Sequence, residues 1–437
     1  MKYNVFIILI TIFTSTTIFY AKKAFVAVPV TDLVGSPVKS DSSVSKFKIY
    51  ETFPLESQKG TFYCKRIHQL IFNEVVDVID ETNYEIKIKI PNCFYVDSQG
   101  IKQTTYWARK SDFITFDQLI KHNLQTSHIP KPIHYNNNIS HKETHSFRKK
   151  IKSVYKNLKN WISRSKQHTP QPTDQNYVTL TFPFYDKKTK QTFSTGTRFV
   201  KASKQNNQKY TQVYIFDKRN NTFTTTLMPQ EKLYNNTQKS NAEKKAAFVR
   251  LLKKWANHYN GFIPYVWGGC SFTHLCKKNT IKTVLLNKKK NNKRVQVYTR
   301  PDFPHKPIPG FDCSGLVLRA AQICNIPYFC KNTTTIKKSL SQVNSYKNLK
   351  NGDLIVYSGH VIIISDKKHN KILEARTNEF GTGKVHEIAL SKAFHNIQSY
   401  QDLFALKKEK KTLDRIDNKG KIRQKIKDFS IVSLIQK

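Results

Sequence analysis

Apolar residues repeat along this chain with two different periods, and the change falls near residue 241. Upstream, short apolar-rich runs at 25–30, 74–78, 84–90, 178–182, 197–200 and 212–216 are split by polar turns. Runs of this length and spacing predict strands, gathered into small β-barrels. Downstream, Ala247, Val249, Leu251, Leu252 and Trp255 mark a helix. Leu316, Val317, Ala320, Ala321 and Cys324 share one face of a second helix. Strands are expected at 353–357, 360–365 and 371–375, with 429–435 as a closing edge strand. The fold class read from this is α+β. Three stretches break the pattern. Residues 270–309, rich in Lys and Asn, read as a surface loop, and 406–427 as a charged tail. In the polar segment 136–176, Phe147, Ile151, Val154, Leu158 and Ile162 fall at helical spacing among Lys and Arg. That basic amphipathic helix either packs on a neighbouring domain or lies on a membrane surface. Pro170-Gln171-Pro172 closes it as the end of a linker.

A length of 437 residues allows two to four domains, and 38% hydrophobic residues are enough for sizeable cores. Lys2 followed by apolar residues 5–13 reads as a secretory signal. The apolar stretch is shorter than the ~20 residues a membrane span needs. Cleavage after Ala21 is expected, with an uncleaved anchor as the alternative. The net charge of +44 comes from Lys scattered with Asn and Ile over the whole length. This reads first as compositional drift, and second as attraction to an anionic envelope polymer or membrane surface. No Gly-rich phosphate loop or Arg/aromatic motif supports nucleic acid as a partner. Seven cysteines leave at least one thiol unpaired. Pairing by proximity would join Cys64 to Cys93, Cys270 to Cys276 and Cys324 to Cys330, leaving Cys313.

Cys313 is also where the chemistry gathers. It sits in Gly310-Phe311-Asp312-Cys313-Ser314-Gly315, at the first turn of the second predicted helix. Unpaired N–H groups and the helix dipole favour a thiolate there. His360 opens a strand after the turn Ser358-Gly359. A cysteine at a helix start facing a strand-borne histidine is what a cysteine nucleophile needs. Cys270, His274 and Cys276 lack a fourth ligand and match no common zinc spacing, so no metal is expected.

Four motifs in order carry a resemblance: Pro264-Tyr265-Val266-Trp267-Gly268-Gly269, Phe311-Asp312-Cys313-Ser314-Gly315-Leu316-Val317, Asn351-Gly352-Asp353-Leu354 and Gly359-His360-Val361. Together they resemble the NlpC/p60 family of cell-wall cysteine peptidases over 241–437, which implies a papain-like core. Residues 22–133 and 177–236 look like bacterial SH3-like domains, with 134–176 as a basic linker. That layout is similar to the γ-D-glutamyl-L-diamino acid endopeptidases. The resemblance implies Cys313 as nucleophile and His360 as general base. A third polar residue, usually His in the family, orients the base from the next strand. Glu374 stands at that place here, a departure that a carboxylate suits chemically; His369, in the polar turn before it, is the rival. Tyr265 and Trp267 are implied to line the cleft, with Asp312 and Ser314 flanking the thiol. Asp312 either holds the free amine of the stem peptide or caps the helix, and both roles can coexist. Glu74 resembles a carboxylate that caps that amine from the first SH3-like domain. The implied reaction is hydrolysis of a γ-D-glutamyl–diamino acid amide in peptidoglycan stem peptides, without cofactor, in an exported protein. Two rivals remain: a catalytically silent cell-wall binding protein, and a papain-like amidase or acyltransferase.

Overall fold

The computed structural model describes residues 22–38, 65–91, 93–96, 100–132, 177–202, 209–235, 239–276, 282–286, 293–297, 308–377 and 382–435. The expected signal at 1–21, the expected linker at 134–176 with the amphipathic helix read there, and Cys64 lie outside the described residues. The chain is a mixed α/β protein, rich in strands and with few helices.

Seven antiparallel strands form the first sheet, in the order Arg66–Ile71, Val30–Val34, Thr105–Arg109, Glu85–Lys89, Val75–Glu81, Lys22–Val26 and Phe113–Thr115. The expected run 25–30 is split in two, because Pro29 has no N–H to give a ladder. Glu85–Lys89 shows how alternation is used: Ile86 and Ile88 are buried while the residues between them stay nearer water. Between 177 and 235 the described strands form one three-stranded sheet and two hairpins. Their inner residues Val178, Phe193 and Phe199 share a core with Phe25 and Phe72 of the first sheet. The Phe72 and Phe193 rings meet edge to face at 4.9 Å.

The C-terminal region is built on a five-stranded antiparallel sheet, in the order Lys384–Ala389, Lys371–Arg376, His360–Asp366, Leu354–Tyr357 and Phe429–Val432. Both faces of this sheet are covered, so its central strands read as continuous apolar runs. Val361 and Ile363 face helices Asn241–Ala256 and Cys313–Ile323. Ile362 and Ile364 face helix Tyr400–Lys408 and the strands Leu413–Ile416 and Ile422–Ile426. Helix Asn241–Ala256 starts on a reciprocal cap between Ser240 and Glu243. The first sheet joins the same core: Leu70, Ile88 and Tyr106 belong with Leu316, Val317 and Ala320. Helix Cys313–Ile323 is therefore packed between two sheets, which is why ten of its residues are buried.

Three expectations change. The stretch 406–427 is not merely a charged tail, since it holds a helix end and a β-hairpin. Within 270–309, the strands Lys282–Leu286 and Lys293–Val297 pair as a hairpin. The two proximity pairs that lie within the described residues are not formed: Cys270, Cys324 and Cys330 carry free, buried thiols. Each is taken up by its own element. Cys270 pairs in a strand with Phe311, and Cys276 bridges Phe262. Cys324 ends the Cys313 helix, and Cys330 bridges Phe94.

Candidate active site

The thiol is placed by backbone. Strand Gly310–Phe311 pairs with Cys270–Ser271, and that partner is itself fastened to the first sheet. Buried Gln69 accepts from the Cys270 N–H (3.1 Å) and the Ser271 hydroxyl (2.7 Å). After Phe311 the chain turns into helix Cys313–Ile323 with Asp312 as its N-cap. The Asp312 carboxylate accepts from the Gly315 N–H at 2.5 Å and from the Ser314 hydroxyl at 2.9 Å. Its other oxygen accepts from the Lys331 ammonium at 2.7 Å. Gly315 is required by close approach, because a Cβ there would lie 2.0 Å from the Gly269 carbonyl oxygen. This ties the two glycine-bearing motifs together in space.

His360 is placed by a hairpin. Tyr357 and His360 are paired across the turn Ser358-Gly359, and Gly359 takes a φ of +83°, which favours glycine. His360 Nε2 lies 2.7 Å from Glu374 Oε2. The next residue, Val361, directs its backbone N–H to the Cys313 sulfur, as does Ser314. The structure thus joins His360 to Glu374, and brings the residue that follows His360 to Cys313. His369 is instead exposed in its turn and paired with Asp366.

Electrostatics set the protonation states. Burial raises the Glu374 carboxyl, but the Arg415 charge and hydrogen bonds from His360 and His386 outweigh it and hold the group well below the usual carboxylate range. Glu374 is therefore an acceptor, and His360 Nε2 is its donor. Burial likewise lowers His360 below its ordinary value despite Glu374. Cys313 departs from the expected thiolate: burial, then the Asp312 charge, pushes its thiol up to about 12. The helix dipole contributes up to about 2 kcal/mol in a buried geometry, less than the desolvation of a buried ion. Burial thus favours the uncharged form of both the thiol and the imidazole.

The remaining predicted residues are distributed around this centre. Tyr265 is buried and bridges Phe311, one turn of chain before the thiol, while its N–H donates to the Gly383 carbonyl. Trp267 is 39% exposed, and its carbonyl accepts from Arg66 of the first sheet. Ser314 is buried and spent on Asp312. Glu74 does come to the Cys313 helix, but to its second turn. There it accepts from Arg319 at 2.7 Å and from its own Ile71 N–H at 2.8 Å.

Five basic residues were not anticipated from the sequence. Arg415, Arg376 and His386 surround Glu374, with His386 Nε2 at 3.1 Å and Arg376 at 3.9 Å. Lys331 serves Asp312, and Arg319 serves Glu74. Only His386 carries a local signal, a lone imidazole on an alternating strand directly opposite Glu374. The other four look like any basic residue until the chain folds.

No family model and no curated protein matches the chain. Solved structures similar to it are NlpC/P60 family proteins. One comes from Bacillus cereus ATCC 10987, at 12% identity and TM-score 0.45, covering 84% of this chain and 94% of that one. Another is NlpC2 from Trichomonas vaginalis, at 10% identity and TM-score 0.29, covering 85% and 94%. The peptidoglycan hydrolase RipB from Mycobacterium tuberculosis is similar at 19% identity and TM-score 0.21, covering 36% and 67%.

Proposed function

We propose that this protein is a cysteine endopeptidase of the NlpC/p60 type that cleaves γ-D-glutamyl–diamino acid bonds in peptidoglycan stem peptides. The observation that carries the reading is a juxtaposition at the start of one strand. Cys313 at a helix start receives the N–H of the residue after His360, and His360 is held by the buried carboxylate of Glu374. The four ordered motifs supply the substrate class. In this reading residues 22–133 and 177–236 are SH3-like modules, 241–437 is the peptidase, and the protein is exported to the periplasm or cell envelope.

The chemistry follows from the protonation states. Because Glu374 accepts at Nε2–H, Nδ1 is the basic nitrogen of His360. It takes the Cys313 proton as the sulfur attacks the amide carbonyl, so a thiolate need not exist beforehand. The negative charge that develops on the carbonyl oxygen is met by the backbone N–H of Cys313 at the helix start. The resulting imidazolium is stabilised by Glu374 and returns its proton to the leaving amine, leaving a thioester on Cys313. Water, deprotonated by His360, then attacks the thioester and restores the thiol. Tyr265 and Trp267 form the cleft wall. Asp312 and Glu74 would meet a substrate amine only in competition with Lys331 and Arg319.

The test is mass analysis of a defined L-Ala-γ-D-Glu-diaminopimelate peptide incubated with the full chain. The expected products are split at the γ-glutamyl bond, and Cys313→Ala loses at least about 10³-fold in rate while keeping its circular dichroism. Full cleavage by that variant would refute the reading. Intact peptide with the native chain would favour the binding-protein rival.

A further inference from the structure

Glu374 has a second side. Its Oε1 contacts His386 and Arg376, which belong to the lining of an open groove of about 1240 Å³ beyond the sheet edge. Three separate segments bring lysines to this groove: Lys384 on the edge strand, Lys392 in the turn after it, and Lys419 in the turn after Leu413–Ile416. Arg376 is buried at 4% exposure, while Lys392 and Lys419 are exposed, so the guanidinium forms the floor and the ammoniums the rim. One carboxylate, Asp417, also lines the groove. It is spent on Arg423 (2.7 Å) and on the backbone N–H groups of Lys419 and Lys421. The lining is therefore cationic, and none of the positive charge at its rim is matched by that acid.

We propose that this groove binds a chain of phosphate groups, held by Lys384, Lys392 and Lys419 over a floor of Arg376 and His386, and that occupancy is felt at His360 through Glu374. Phosphate suits donors converging from three segments, because every group along such a chain carries negative charge on at least two free acceptor oxygens. Burial, with Arg415 adding to it, pulls Arg376 down to about 10, so an added anion relieves a crowded cation. An anion on Arg376 and His386 also weakens their hold on Glu374. The carboxylate then attracts the His360 proton more strongly, and the imidazole becomes a better base for Cys313.

The second half of the proposal rests on the peptidase reading; the first does not. Tripolyphosphate is titrated calorimetrically into the full chain at constant ionic strength, beside the triple variant Lys384→Ala/Lys392→Ala/Lys419→Ala. The variant should bind at least about tenfold more weakly, each lost surface contact to phosphate being worth a few-fold. Equal affinity in the variant overturns the site, and equal binding of an oligoglutamate of matched charge overturns its assignment to phosphate. Coupling is read as the rate of iodoacetamide alkylation at Cys313, followed by peptide mass. Saturating tripolyphosphate should raise that rate about threefold in the native chain, the order expected of one charge a side chain away, and leave the triple variant unchanged. An unchanged native rate, or the same rise with sodium chloride of equal ionic strength, overturns the coupling. If tripolyphosphate binds and speeds alkylation but stem peptide stays intact, the peptidase reading alone has failed.

Discussion

Helix Cys313–Ile323 begins between two buried carboxylates with opposite kinds of partner. Glu374 is fully buried and shares its oxygens with two imidazoles and the guanidinium of Arg415. Asp312 is nearly as buried and faces the Lys331 ammonium and two donors of its own turn. Both arrangements neutralise a charge that burial would otherwise forbid. Only Glu374 reaches a group that exchanges protons near neutral pH. The same ingredients therefore give a carboxylate–imidazole pair in one place, which the proposed reaction uses to orient a base, and a structural clamp for a loop in the other. What separates them is the titration range of the partner, not the carboxylate.

The largest expected effect tests the catalytic half. Glu374→Gln keeps the shape but loses the charge that stabilises the imidazolium, so kcat/KM should fall by about 10²–10⁴. Steady-state cleavage by the folded fraction measures it, and a change under about threefold would erase the distinction between the two carboxylates. The next tests the clamp. Lys331→Met leaves Asp312 buried without its cation and should cost about 3–5 kcal/mol in denaturant unfolding. The folded fraction should keep its rate within about tenfold. A variant of full stability but no activity would place Lys331 in the chemistry instead.

Solution pH then separates the pair by sign. His360 and Glu374 sit below their ordinary values, so the stability they contribute is present above about 6.5 and 4.5 and is lost as pH falls. Lys331 is opposed by burial but held above its ordinary value by Asp312. Its contribution is complete below about 10.5 and is lost as pH rises. Thermal midpoints should decline at both ends, and Lys331→Met should remove the alkaline decline while sparing the acid one. The smallest effect is a reference point at the surface. Lys22 and Glu81 pair at 3.0 Å with over a third of each side chain exposed. Lys22→Ala should therefore shift stability by less than about 1 kcal/mol.

Much of the site was legible beforehand because it is made of short-range features. The helix face through Leu316, Val317, Ala320 and Ala321 announced the element that presents Cys313. The turn Ser358-Gly359 announced the strand that presents His360. The family resemblance pointed to Glu374 on the next strand, where it meets His360. The partners that finish the site come from far along the chain. Arg415 is 41 residues from Glu374, and Arg319 is 245 from Glu74. No local pattern marks a basic residue as one of these among 74 lysines and arginines. The cysteine pairs failed for a related reason: nearness in sequence says little about which way strand and helix side chains point.

From the sequence alone came the places where the backbone must turn, start a helix or run as a strand, because those depend on neighbours a few residues away. Tertiary structure decided which charges are buried together and how dry the thiol is. Local signals suggested an anionic sulfur at Cys313; packing between two sheets pushes that thiol the other way, upward. That reversal follows from desolvation, which depends on everything that surrounds an atom and so has no signature in any single stretch of chain.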